Sequence, residues 1–129
     1  MNRPDTRYFH MHLVSDATGE TLNTVARAAT AQYAGYRPIE HIYALVRTPK
    51  QLTKVLDAIT REPGIVLFTL VDQSLRKQLE EHCAALAVPC ISILDPVITS
   101  LAQYLNAATS PQIGGQHALD ANYFRRIDA

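Results

Sequence analysis

The sequence has only two cysteines, no long uncharged apolar run and no excess of charge of either sign. Cys83 and Cys90 are spaced neither as a CxxC redox pair nor as a zinc knuckle, and we interpret both as small buried apolar residues. No segment approaches the roughly 18 apolar residues that a membrane-spanning helix needs. Residues 1–7 lack the apolar core of a signal peptide, so we expect a cytoplasmic protein.

Lysine plus arginine and aspartate plus glutamate each number 12, which gives a formal net charge of zero. A neutral chain has no net field to attract nucleic acid or an anionic membrane surface, and we expect neither as a partner. The 129 residues are enough for one domain, and the apolar content of 47% is enough for one packed core.

Four apolar runs alternate with four segments of helical periodicity along the chain. The runs predict strands at Tyr8–Val14, Ile39–Val46, Ile65–Val71 and Cys90–Leu94. The first helix is predicted at Gly19–Tyr33, and the others follow the later strands. The apolar positions expected to face the sheet are Leu22, Val25, Ala26, Ala29 and Tyr33 in the first helix, Leu52, Val55, Leu56 and Ile59 in the second, Leu75, Leu79, Cys83 and Leu86 in the third, and Val97, Leu101, Tyr104 and Leu105 in the fourth.

Strands separated by helices of this length predict a parallel sheet, because each right-handed crossover returns the chain to the same edge. We therefore predict an α/β domain over residues 1–110: a three-layer open sheet of about four parallel strands with helices on both faces, Rossmann-like or flavodoxin-like. The third run is almost continuously apolar, which places it at the sheet centre. The order of the other strands stays open.

The turn between the first strand and the first helix contains Ser15, Asp16, Thr18, Gly19 and Thr21. A helix N-terminus presents unpaired backbone N–H groups and the positive end of the helix dipole, so this turn is a candidate phosphate site. It matches neither GxGxxG nor GxxxxGK[ST], and Asp16 would repel an anion unless an arginine or a magnesium ion lay between them. The alternative is a capped helix start in which Gly19 eases the turn.

Arg47 is the only basic side chain predicted at the same edge of the sheet, one residue beyond the second strand. It could pair with an anion held by the first turn, or it could be solvated or bonded to a neighbouring aspartate. Thr48 is a further binding candidate, although with Gln51 it also fits a capping box for the second helix. Asp72 and Asp95 are expected to cap the third and fourth helices.

Three of the five histidines, His10, His12 and His41, fall in predicted strands. Their spacing identifies no pair of metal ligands, so we interpret them as structural histidines and predict no metal ligand in the chain. No Ser-His-Asp or Cys-His arrangement for nucleophilic catalysis can be identified.

Residues 111–129 differ in character from the rest of the chain. A glycine-containing connector is followed from Asp120 by the start of an amphipathic helix, with Tyr123, Phe124 and Ile127 on its apolar side. About ten residues do not form a stable helix alone. We expect this helix to pack on its own sheet, on a second copy in a homodimer, or on a missing C-terminal domain, and we prefer the last.

Three segments, in order along nearly the whole chain, resemble one family. Phe9–Thr21, Gly64–Val71 and Tyr123–Ala129 are similar to the bacterial pyruvate, phosphate dikinase regulatory proteins and their phosphoenolpyruvate synthase counterparts. Members of that family are about twice as long and carry, beyond the YFxRIDA segment, a glycine-rich Walker-type loop for the nucleotide phosphates. This sequence does not include that loop.

The resemblance implies the N-terminal part of a bifunctional serine/threonine kinase and phosphorylase. Such an enzyme uses ADP to phosphorylate a threonine of the dikinase, and removes that phosphate with inorganic phosphate to release pyrophosphate. It also implies that ADP, with magnesium as a candidate, belongs to the full-length protein, so we assign no catalytic residue here and expect no tight cofactor binding. The alternatives are a non-catalytic binding or dimerisation module, or a regulator of phosphoenolpyruvate synthase.

Overall fold

The described part of the protein, residues 5–108 of a computed structural model, forms one four-stranded sheet with four helices. The predictions for residues 111–129, including Tyr123, Phe124 and Ile127, lie outside the described residues. In chain order the elements are β1 (Arg7–Ser15), α1 (Glu20–Thr30), β2 (Tyr36–Tyr43), α2 (Pro49–Arg61), β3 (Ile65–Thr69), α3 (Gln73–Leu86), β4 (Cys90–Ser92) and α4 (Asp95–Leu105).

The sheet is parallel throughout, with the strand order β2-β1-β3-β4. This confirms the predicted α/β class and the central position of the third strand. After β1 the chain passes to β2 at one edge of the sheet, and after β3 it passes to β4 at the other edge. The carboxyl ends of β1 and β3 therefore flank a topological switch point, where open α/β sheets bind their ligands.

Helices cover both faces of the sheet, as predicted. On one face, Met11 and Leu13 of β1 pack with Leu22 and Ala26 of α1. The opposite face carries the larger core, which α2 and α3 form with the alternate side chains of β1 and β3. The buried members of that core are Val14, Val46, Leu52, Val55, Ile59, Val66, Phe68, Leu70, Leu75, Leu79 and Cys83.

The observed strands differ from the predicted ones mainly in β2. This strand begins at Tyr36 and includes Pro38, which the sequence places in a loop. Proline is tolerated because β2 is an edge strand that pairs only with β1. β2 ends at Tyr43 instead of Val46, because the chain then turns across the end of β1: Leu45 adopts a left-handed conformation with φ 58°.

The predictions for the fourth helix are wrong in two respects. Its N-cap residue is Leu94, which makes no side-chain cap bond, and Asp95 is already the first residue of the helix. The predicted inward stripe of Val97, Leu101, Tyr104 and Leu105 is exposed. Two smaller corrections are that β3 and β4 end earlier than predicted, at Thr69 and Ser92, and that Cys90 is only partly buried.

Among the described residues, no helix combines the length and the apolar character that crossing a membrane requires.

Candidate functional site

The candidate site is the edge of the sheet where β1 and β3 end. Ser15 and Thr69 are the last paired residues of these strands, and they lie opposite each other. The Thr69 hydroxyl donates to Ser15 Oγ over 3.1 Å, and the Ala17 amide donates to the same oxygen over 3.0 Å. Ser15 is 1% exposed. The structure therefore places Ser15 beneath the turn, where it fixes the direction in which the chain leaves β1.

Asp16 closes the turn from the other side. Its carboxylate accepts the Val71 amide over 2.9 Å, and its own amide donates to the Thr69 carbonyl over 3.1 Å. The residue is 3% exposed, so the carboxylate points into the protein. This arrangement does not fit a magnesium site, which needs oxygen ligands open to water and substrate phosphates. Asp16 instead joins the carboxyl ends of β1 and β3.

Gly19 begins α1 in a left-handed conformation with φ 85°. As the N-cap residue, Gly19 has no side chain to cap the helix, and its left-handed conformation agrees with the alternative in which Gly19 eases the turn. A residue with a Cβ would be strained at this φ, which explains why glycine occupies the position. The first turn of α1 contains Thr21 and the exposed acidic side chain of Glu20. Thr18 is exposed beside it.

Asn23 also belongs to the site, and no sequence pattern predicts this role. Its amide Oδ1 and Nδ2 lie 3.7 and 3.8 Å from the point where a side chain of residue 19 would begin. Within residues 5–108, its buried Oδ1 has no hydrogen-bond partner. The turn therefore has an unsatisfied polar group beside the helix N-terminus, and such groups call for a ligand or an ordered water.

Arg47 lies over the same turn. Its Nε donates to the Asp16 backbone carbonyl over 2.8 Å. The preceding amides bind the turn as well: Leu45 N–H donates to Ala17 O, and Val46 N–H donates to Ser15 O, each over 2.9 Å. The structure thus unites the two predicted candidates, the first turn and Arg47. The bond from Arg47 uses Nε, and the terminal guanidinium nitrogens carry four more N–H donors.

Thr48 acts as a helix cap. Its hydroxyl accepts the Gln51 amide over 3.2 Å, and Gln51 Oε1 accepts the Thr48 and Arg47 amides over 3.0 and 2.8 Å. This is the predicted capping box, and it keeps Arg47 next to the first turn. The predicted cap of α3 is also present, since the Asp72 carboxylate accepts the Leu75 amide over 3.0 Å.

Asp95 has a different partner from the one predicted. Its carboxylate pairs with the Arg76 guanidinium, which also lies 5.3 Å from the centroid of the Phe68 ring. The hydrogen bond from Arg76 is the main cause that holds the pKa of Asp95 below its usual value. Asp95 therefore pairs with an arginine of α3 instead of capping the α4 amides, and this ion pair joins α3 to the start of α4.

The three histidines of the strands, His10, His12 and His41, lie on the α2 side of the sheet, away from the switch point. His12 is fully buried: its Nε2 donates to the Glu62 carbonyl over 2.7 Å, and its Nδ1 lies 2.9 Å from the Tyr43 hydroxyl. Burial is the main cause that lowers the pKa of His12 below its ordinary value. His12 is therefore a neutral, hydrogen-bonded core histidine, as interpreted. His10 and His41 lie next to it.

A second surface lies on the α1 face of the sheet, where an apolar groove of about 570 Å³ runs between α1 and β4. Among the first-helix positions expected to face the sheet, Val25, Ala29 and Tyr33 are exposed along it. Tyr33 lies beyond α1, because the helix ends at Thr30 and not at Tyr33 as predicted. Strand residues, including Phe9, Ile65 and Ile91, form its floor. Only α1 packs on this face of the sheet in residues 5–108, so part of its apolar surface faces solvent.

Comparison with known sequences matches the chain to one family. Residues 11–129 match the family model described as kinase/pyrophosphorylase. Two similar relatives, from Chelativorans sp. (strain BNC1) and Brucella ovis, are named as pyruvate, phosphate dikinase regulatory proteins. They are 56% and 57% identical over all 129 residues.

Those 129 residues correspond to 47% of the Chelativorans protein and 46% of the Brucella ovis protein. The chain thus spans about half the length of the curated relatives it matches.

Proposed function

The chain belongs to the kinase/pyrophosphorylase family, and from this membership we propose that it is the N-terminal part of a bifunctional regulator of pyruvate, phosphate dikinase. The whole protein would phosphorylate a threonine of the dikinase with ADP. It would also remove that phosphate with inorganic phosphate and release pyrophosphate. The names of the relatives support the dikinase over phosphoenolpyruvate synthase as the regulated enzyme.

The role we propose for residues 5–108 is to hold a phosphate group, either that of the phosphothreonine or that of inorganic phosphate. The observation that carries this proposal is that Arg47 bonds the turn that leads from β1 to the N-terminus of α1, at the switch point of the sheet. A guanidinium and backbone N–H groups are the usual phosphate ligands in proteins. The unsatisfied Oδ1 of Asn23 at the same turn is an acceptor, so it supports an ordered water there and not a direct contact with phosphate oxygens.

The chemical step of transfer belongs, in this proposal, to the rest of the protein. Phosphoryl transfer needs a cradle for the β-phosphate and a bound divalent cation. The turn has no Walker lysine, and the carboxylate of Asp16 is bonded to Val71 inside the protein. ADP and magnesium are accordingly assigned to the other half, and no residue of this chain is assigned a catalytic role.

A second candidate is a docking module without a phosphate site. The apolar groove beside α1 favours it, since a surface of this size and character usually receives another part of the protein. We assign the groove to the remaining half of the longer polypeptide that the relatives represent. The two candidates differ in whether the phosphorylation state of the dikinase changes its binding to the chain.

Binding to the dikinase tests the proposal. Purified 129-residue chain should bind threonine-phosphorylated dikinase about tenfold more tightly than the unphosphorylated enzyme, since one more charge-assisted contact forms. Incubation with ADP or inorganic phosphate should leave the phosphorylation state unchanged. Biolayer interferometry and mass spectrometry of the target threonine provide the two measurements.

Each outcome of that experiment has a distinct meaning. Phosphate transfer by the chain alone would contradict the assignment of catalysis to the other half. Equal affinity for both forms of the dikinase would favour the docking module. Competition by millimolar inorganic phosphate is the control for a phosphate-specific contact.

A further inference from the structure

A cluster of two imidazoles and a carboxylate lies on the α2 side of the sheet, apart from the switch point. His10 is on β1, His41 is on β2, and Glu62 follows α2. The register of the parallel pair puts His12 opposite His41, and His10 lies two residues earlier on the same face. Three separate elements thus contribute one side chain each.

The distances suit a shared cation. His10 Nδ1 is 2.9 Å from His41 Nε2, and His10 Nε2 is 3.5 Å from the Glu62 carboxylate. One ligand atom from each of the three residues can be chosen so that all lie within 4.8 Å of one another. Tetrahedral zinc with bonds of about 2.0–2.1 Å needs ligand atoms about 3.3 Å apart. Small rotations of these partly or fully exposed side chains would bring the three atoms to that spacing.

The surroundings already orient these ligands. The His41 ring stacks on His12, with the centroids 4.6 Å apart and the planes at 15°. His12 is itself fixed by its bonds to Tyr43 and to the Glu62 carbonyl. Partners of this kind, which hold the ligand rings, characterise metal sites built by proteins. The negative end of the α2 dipole also lies here, and it favours a cation.

We propose that His10, His41 and Glu62 bind a zinc-type divalent transition metal, with water completing the coordination. Two nitrogen ligands and one oxygen select zinc, cobalt or nickel over magnesium, which requires oxygen ligands. The site is therefore distinct from the magnesium that a kinase uses. The side chain of His10 is 29% exposed and that of Glu62 is 51% exposed, so an ion can enter from solvent. The bound ion would join β1, β2 and the end of α2.

Metal titration of the untagged chain tests this proposal. With zinc alone, calorimetry should show one ion bound per chain, and a saturating concentration should raise the melting temperature. Cobalt should give the visible absorption of a tetrahedral nitrogen and oxygen site. A large excess of magnesium should displace neither ion.

Variants locate the site. Glu62→Gln and His10→Asn should each weaken zinc binding by about tenfold or more, because each removes one ligand. Two ligand variants are used so that poor folding of one does not remove the test. His82→Ala is the matched control: this histidine lies 2.7 Å from the Thr60 hydroxyl, outside the cluster, and its loss should leave affinity unchanged.

The proposal is overturned if wild-type chain shows no saturable zinc binding, if the two ligand variants bind as tightly as wild type, or if His82→Ala abolishes binding. None of these results bears on the phosphate site, whose residues lie at the carboxyl ends of β1 and β3.

Discussion

Replacing Gly64 by alanine is expected to destabilise the domain by about 3 kcal/mol, near the upper end of the usual range for overpacking. Gly64 precedes β3 and passes directly against the backbone of β1 at His10. A Cβ at this position would overlap the His10 carbonyl oxygen and lie 2.6 Å from its carbonyl carbon. These atoms belong to the backbone of β1, so no side-chain rotation can relieve the clash.

Gly35→Ala is the matched control for this experiment. Gly35 has φ 88°, and nothing lies within 4 Å of the Cβ that would be added. Its substitution should cost only the left-handed backbone penalty of about 1–2 kcal/mol. Urea unfolding followed by circular dichroism measures both changes. Equal stability of the two variants would show that β1 and β3 do not approach as closely as described.

Replacing Arg47 by alanine is expected to weaken pyrophosphate binding by about 10- to 100-fold. Hydrogen bonds to a charged group are worth about 1.5–3 kcal/mol, and each 1.4 kcal/mol is a factor of ten in affinity. The substitution removes the guanidinium and its 2.8 Å bond to the Asp16 carbonyl in the turn after β1. Isothermal titration calorimetry at fixed ionic strength measures the change.

Two variants separate specific contact from general charge. Lys54→Ala removes an exposed cation from α2, one helical turn beyond Lys50, and should reduce affinity by less than about threefold through screened charge alone. Arg47→Lys keeps the charge but loses the planar fork, and should fall between the wild type and the alanine variant. If Lys54→Ala lowered the affinity for pyrophosphate as much as Arg47→Ala does, the effect of Arg47 would be one of net charge alone.

The sequence predicts most of the fold because the relevant signals are local. Apolar runs and helical periodicity identify the eight elements, and the cap chemistry of Thr48 and Asp72 is formed within four residues of chain. Asp95 fails as a cap because its partner, Arg76, is 19 residues away and is reached only after α3 packs on the sheet. Such competition between a cap and a distant ion pair has no local signature.

The candidate site is predictable in its location but not in the roles of its residues. Parallel topology alone brings Ser15, Gly19 and Arg47 to one edge of the sheet. The inward positions of Ser15 and Asp16 depend on β1 and β3 being neighbours, and the sequence does not give the strand order. Likewise, His10 and His41 meet only through the register of β1 with β2.

Exposure of predicted apolar stripes has a physical explanation. Periodicity shows that a helix has an apolar face, but burial depends on what packs against it. In α2, Leu52, Val55 and Ile59 are buried by α3 and the sheet. In α1, Val25 lies at the groove, where no second helix of residues 5–108 completes the layer.

An amide NMR titration of the 129-residue chain with pyrophosphate shows whether the turn after β1 binds phosphate groups. Saturable shifts are expected at Gly19–Leu22 and at Arg47, with the amides of α4 unchanged. Signals from Gly19–Leu22 that stay fixed while pyrophosphate reaches millimolar concentration, or shifts that appear only elsewhere in the domain, would contradict phosphate binding by this turn.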